Sequence, residues 1–96
     1  MARWQRRLLS TPLAGYLGTC HAVMNHDTTA RLSRISVPTL VMAASDDLGT
    51  PAAQMQSVAG AIAGAQWALI DGAAHMSALE KPADFEAAVR AFLQGL

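Results

Sequence analysis

The apolar rhythm of the chain changes near residue 35, and the change separates two regimes. Upstream the spacing is helical. Leu13, Tyr16, Leu17, Cys20, Val23 and Met24 fall at i, i+3, i+4, i+7, i+10 and i+11, which marks one face of a helix running to about Met24. Thr11 as N-cap and Pro12 at the first helical position start it. Gly15 and Gly18 either weaken this helix or permit close packing. A shorter helical piece over residues 4–10 puts Trp4, Leu8 and Leu9 on one side. The polar run from Asn25 to Thr29 is a turn, and Asp27 caps a short helical stretch reaching Leu32.

Downstream the rhythm is that of an α/β unit. Ile35 to Ser45 is continuously apolar with Pro38 at its entry, the pattern of a strand covered on both faces. Thr50 and Pro51 start a helix with Met55, Val58, Ala59 and Ile62 facing inward and Gly64 at its C-cap. A second strand spans Gln66 to Ile70, followed by a loop from Asp71 to Lys81. Pro82 opens the last helix, whose expected buried stripe is Phe85, Val89, Phe92 and Leu93. Strand, helix, strand, helix implies two parallel strands joined by a right-handed crossover. Two parallel strands are too few for an independent sheet. The chain is therefore expected to be one end of a larger sheet.

Composition narrows the classes. Ninety-six residues allow one domain. A formal net charge of zero with 52% hydrophobic residues excludes disorder driven by charge and nucleic-acid binding through bulk electrostatics. Arg3, Arg6 and Arg7 form either a basic arm or the solvated start of a helix. The opening residues mimic a secretory signal, but their apolar part is two leucines cut off by Ser10, Thr11 and Pro12. No apolar run is long enough to span a membrane. The single cysteine cannot form an internal disulfide and fits a reducing compartment. The expected setting is the cytoplasm, with neither nucleic acid nor membrane as partner.

Functional groups in open α/β sheets collect beyond the carboxyl ends of the strands. The first strand ends in Ser45, Asp46 and Asp47, and the second leads through Asp71 and Gly72 to His75. A carboxylate from the first loop can accept the Nδ1 proton of His75. That fixes its tautomer and stabilises the imidazolium formed when Nε2 takes a proton from a nucleophile. Read separately, the aspartates are equally turn residues or a helix cap, and His75 a loop histidine bonded to a carbonyl. His21, His26 and Asp27 lack a metal-ligand spacing and read as solvated turn residues.

The stretches "VPTLVMAASDDLGTP" and "LIDGAAHMSALEKPADFEAAVRAFL" resemble the C-terminal part of an α/β-hydrolase. In that family the acid lies in G-x-x-D-x-x-x-P. Here Ala44 stands in the Gly position, and the Asp four residues before Pro51 is Asp47, not Asp46. The family histidine lies in a motif like G-x-G-H-x-x-x-x-E-x-P, matched by Gly72, His75, Glu80 and Pro82, with Ala74 in place of the second Gly. "TPLAGYLGTCHAVMNHD" is similar to a cap-domain helix of the 3-oxoadipate enol-lactonases. The resemblance implies a helical cap remnant over residues 1–33 and a C-terminal βαβα part of the hydrolase core over residues 34–96. It implies Asp47 and His75 as catalytic acid and base, Met76 and Leu79 lining the substrate, no cofactor and no metal. It also implies a small lactone or ester substrate and, as partner, the missing N-terminal half of the hydrolase.

Gly18, Thr19, Cys20, His21 and Ala22 imitate a nucleophile elbow. An elbow, however, follows a buried strand, whereas the residues before Cys20 carry Pro12, two glycines and helical spacing. Cys20 is better read as a small hydrophobe on a helix face. None of Ser10, Ser33, Ser36, Ser45, Ser57 and Ser77 lies in a G-x-S-x-G context. The 96 residues are thus expected to hold the acid and base of a triad without its nucleophile, and to be inactive alone. Another α/β-hydrolase esterase, or a non-catalytic module pairing through its exposed sheet edge, is the alternative.

Overall fold

The computed structural model describes residues 2–96. Helices α1 (Ala2–Ser10) and α2 (Leu13–Met24) come first, then a 3₁₀ helix (Thr29–Arg34). Strand β1 (Leu40–Ala44), helix α3 (Ala52–Ala61), strand β2 (Gln66–Ile70), a single-turn helix α4 (Ser77–Glu80) and helix α5 (Pro82–Gln94) complete the chain. β1 and β2 form a two-stranded parallel sheet in the register Leu40 to Gln66 through Ala44 to Ile70.

The sheet starts later than the apolar run suggests. Ile35 to Thr39 precede the strand, and the first cross-strand bond is Gln66 N–H to the Thr39 carbonyl, 2.9 Å. Pro38 has no N–H to offer a ladder. Thr39 turns its hydroxyl back to the Val37 carbonyl at 2.9 Å, and β2 begins only at Gln66, so nothing pairs with the earlier residues. Helix α3 packs on both strands and on the 3₁₀ helix, and α5 packs on β2. Its inward residues Met55, Val58 and Ala59 are half-buried and Ile62 is buried, as the spacing implies. Gly64 adopts φ +73° in the turn that follows.

The core is small and sits where sheet and helices meet. Val41, Ala43, Ala44, Ile62, Ile70 and Ala73 are buried, and Ala88 of α5 packs against the cluster of Ala44, Ile70 and Ala73. Phe85, Val89 and Phe92 are half-buried beside it, whereas Leu93, expected in the same stripe, is 58% exposed. At i+8 from Phe85 it has drifted off the sheet-facing side, and Ala88 occupies the inward position instead. No large side chain among the described residues is fully buried.

Helix α2 forms where its spacing places it, but its apolar face is not covered. Leu13, Tyr16, Leu17, Val23 and Met24 are exposed and Cys20 is half-buried. Helix α1 is exposed along its described length. Monomeric soluble domains rarely expose apolar side chains on this scale. Asp27 accepts from the Thr29 N–H at 3.0 Å, an Asx turn that leads into the 3₁₀ helix. The loop from Asp71 to Lys81 contains helix α4, which the residue pattern does not announce. One turn is too short to show a period.

Candidate active site

Two loops leave the carboxyl ends of β1 and β2 side by side, and backbone bonds tie them together. Ser45 N–H donates to the Ile70 carbonyl at 3.0 Å, and Asp46 N–H to the Ala73 carbonyl at 2.9 Å. The Ser45 hydroxyl accepts from Gly72 N–H at 2.8 Å and donates to Asp46 Oδ1 at 3.1 Å. Gly72 turns at φ +65°, a left-handed conformation that costs a side-chain-bearing residue about 1 kcal/mol. That turn directs the chain back over the end of β1. Beyond it, Ala74 N–H donates to the Glu80 carboxylate at 3.0 Å. The segment carrying His75 is thus held from both sides.

Asp47 is the one buried charged side chain among the described residues. Its Oδ1 accepts from the backbone N–H groups of Gly49, 2.8 Å, and Thr50, 3.1 Å. Its Oδ2 accepts from the Thr50 hydroxyl at 2.8 Å and lies 2.9 Å from His75 Nδ1. A carboxylate so placed can only accept, so the shared proton sits on Nδ1. The Nε2 edge is left free on a side chain that is 68% exposed, against 8% for Asp47. Backbone approaches the pair closely at Gly49, where a Cβ would lie 3.4 Å from Asp47 Oδ1 and 3.6 Å from His75 Nδ1.

These donors hold the Asp47 carboxyl far below the usual carboxylate range. The Thr50 N–H contributes most, then His75, then the Thr50 hydroxyl and the Gly49 N–H, against burial, which pushes the other way. The sign for stability follows. The folded value lies below the ordinary 3.8, so ionised Asp47 stabilises the fold fully above about pH 4 and the effect is lost as pH falls towards the folded value. Chemical unfolding measured between about pH 4 and pH 2 is expected to show a steep loss of stability in the wild type and a shallower one in Asp47→Asn, which binds no proton there. Equal slopes would mean that Asp47 ionises alike in the folded and unfolded chain.

The structure brings Asp47 and His75 together. Asp46 faces Ser45 instead. Met76 and Leu79 are exposed on the histidine loop, where the Met76 carbonyl accepts from Leu79 N–H at 2.8 Å. Cys20 lies within α2, on no strand-to-helix turn. Thr50 and Ser45 were not singled out by the sequence as site residues. Their hydroxyl bonds depend on how the two loops meet, and a small polar residue in a turn carries no other signal. A groove of about 420 Å³ is lined by Thr28, Arg31, Leu32, Arg34 and Ile35 and shares no residue with the pair. Among the described residues no cluster of His, Cys, Asp and Glu is arranged to hold a metal ion, and no helix is long and apolar enough to cross a membrane.

Comparison with known proteins bears on the family and the fold. No protein-family model matches the chain. It is 40% identical over 73 residues to a protein of Pseudomonas syringae pv. syringae that carries the name of a carbamate hydrolase, covering 76% of this chain and 28% of that one. It is 39% identical to the proline iminopeptidase of Lactobacillus helveticus (72% and 23% covered) and 36% identical to 3-oxoadipate enol-lactonase 1 of Acinetobacter baylyi (81% and 29%). Among solved structures, a hydrolase of Pseudomonas aeruginosa superposes with a TM-score of 0.88 at 39% identity, covering 96% of this chain and 34% of that one. The enol-lactonase of Burkholderia xenovorans gives 0.79 at 35%, with 83% and 30% covered. The chain belongs to the α/β-hydrolases and corresponds to the C-terminal portion of their fold. It spans less than a third of the length of each of the three sequence relatives.

Proposed function

We propose that Asp47 and His75 are the acid and base of a Ser-His-Asp hydrolase that opens carboxylic ester or lactone bonds, with a 3-oxoadipate-type enol-lactone as substrate. The observation that carries the reading is the 2.9 Å contact from His75 Nδ1 to the buried Asp47 Oδ2, with Nε2 free. The serine and the oxyanion donors come from the part of the hydrolase fold that these residues do not span. The serine Oγ attacks the lactone carbonyl while His75 Nε2 takes its proton. Collapse of the tetrahedral intermediate breaks the ring C–O bond, and the imidazolium returns the proton to the departing enol oxygen. Water then hydrolyses the acyl-enzyme with His75 again as base. Asp47 stays ionised throughout and stabilises the imidazolium.

Residues 1–26, within the cap remnant of residues 1–33, roof the pocket, which accounts for the uncovered apolar faces of α1 and α2. Met76 and Leu79 present apolar surface beside His75 and line the substrate. A reducing, cytoplasmic setting suits the free Cys20. The substrate assignment is supported by the likeness to the Acinetobacter and Burkholderia enol-lactonases, while the carbamate and prolyl-peptide relatives are as similar in sequence. Parallel assays on the native-length protein separate these classes. An enol-lactone is expected to give a kcat/KM at least about tenfold above a carbamate or a prolyl peptide. A preference for either of those moves the substrate and leaves the acid–base pair in place.

A further inference from the structure

We infer that Thr50 is a positioning residue for the Asp47–His75 pair, its hydroxyl deciding how the carboxylate meets the imidazole. The inference rests on the catalytic reading above. A carboxylate rotates about its Cβ–Cγ bond in a broad, roughly two-fold well. The amides of Gly49 and Thr50 both bind Oδ1 and make it a pivot, about which coupled changes of χ1 and χ2 still displace Oδ2. The Thr50 hydroxyl supplies the second point, 2.8 Å from Oδ2. One residue thus grips both oxygens, through its backbone on one and its side chain on the other.

Thr50 is itself well anchored. It is half-buried and is followed by Pro51, the residue that caps α3. A residue before proline is confined to extended backbone, and a β-branched side chain has few χ1 choices. The hydroxyl is therefore fixed in direction by α3, which packs against β1. Oδ2 has two lone pairs, so it accepts from the hydroxyl and from His75 Nδ1 at once. Without the hydroxyl, Oδ2 keeps only the bond to an exposed imidazole, and a pivot of the carboxylate about Oδ1 is no longer resisted at that end. Turnover then suffers while substrate binding does not, because Thr50 touches Asp47 and not the Nε2 edge.

The test uses the native-length protein with p-nitrophenyl acetate as the probe ester and His75→Ala as reference. Thr50→Val keeps the shape and the backbone N–H and removes the donor; Thr50→Ser keeps the donor. Thr50→Val is expected to lower kcat about tenfold, the effect of one hydrogen bond to a charged group, with KM within about twofold of wild type. Thr50→Ser is expected to restore kcat to within about twofold. If Thr50→Val does not fold, Thr50→Ala against Thr50→Ser makes the same comparison. The inference is overturned if His75→Ala is inactive while removal of the hydroxyl leaves kcat unchanged or raises KM alone, or if Thr50→Ser is as impaired as Thr50→Val. Full activity in His75→Ala would instead remove the catalytic reading on which it rests.

Discussion

His75→Ala in the native-length protein is expected to lower kcat by on the order of 10⁴-fold or more, with little change in folding stability. The two halves of that expectation have separate causes. Among the described residues, the imidazole is the group bonded to a buried carboxylate and free at its other nitrogen to move a proton. On the proposed reading, the serine would then attack as a neutral hydroxyl and the leaving oxygen would depart unprotonated. Stability changes little because the ring is mostly exposed and packs in no core cluster. Steady-state kinetics and a denaturant titration on the same preparation check both halves. Activity within a few-fold of wild type would show that His75 is a loop residue bonded to Asp47 for structural reasons. A large loss of stability would leave the kinetic result uninterpretable as chemistry.

Much of this arrangement was legible in the residues, and the legible part is local. Helix α2 follows from six apolar positions at helical spacing, and β2 from Gln66 to Ile70 as read. The choice of Asp47 over Asp46 followed from the distance to Pro51 in a family-like motif. The structure sets Asp47 against His75 and Asp46 against Ser45. What the residues did not disclose is contact between segments far apart in the chain. The Ser45 hydroxyl meets Gly72 N–H across 27 positions, and no periodicity encodes such a bond. Helix propensity places α2 but does not say what its face meets, because a period fixes which side chains share a face and not what packs on it. Leu93 shows the limit of spacing, since at i+8 from Phe85 it has turned off the sheet-facing side and is exposed.

Asp47→Asn is expected to lower kcat by about 10³- to 10⁴-fold, whereas Asp46→Asn is expected to leave it within about twofold of wild type. The size of the first effect follows from donors that surround the carboxylate. Gly49 N–H and Thr50 N–H both point at Oδ1, so the asparagine carbonyl oxygen must take that place. Its NH₂ group then occupies the Oδ2 position, facing the Thr50 hydroxyl and His75 Nδ1. Both were donors to Oδ2. The hydroxyl can turn and accept, but Nδ1 can accept only by giving up its proton. The imidazole is driven to the tautomer with hydrogen on Nε2, where it can no longer act as a base, and the negative charge that stabilised the imidazolium is gone. Asp46 has no part in this, since its carboxylate accepts from the exposed Ser45 hydroxyl. Kinetics of both variants, with NMR of the imidazole nitrogens to read the tautomer in Asp47→Asn, decide the matter. Equal losses in the two variants would mean that general loop charge, rather than the Asp47 contact, supports turnover. A wild-type tautomer in Asp47→Asn would show that the amide of residue 47 is held the other way round.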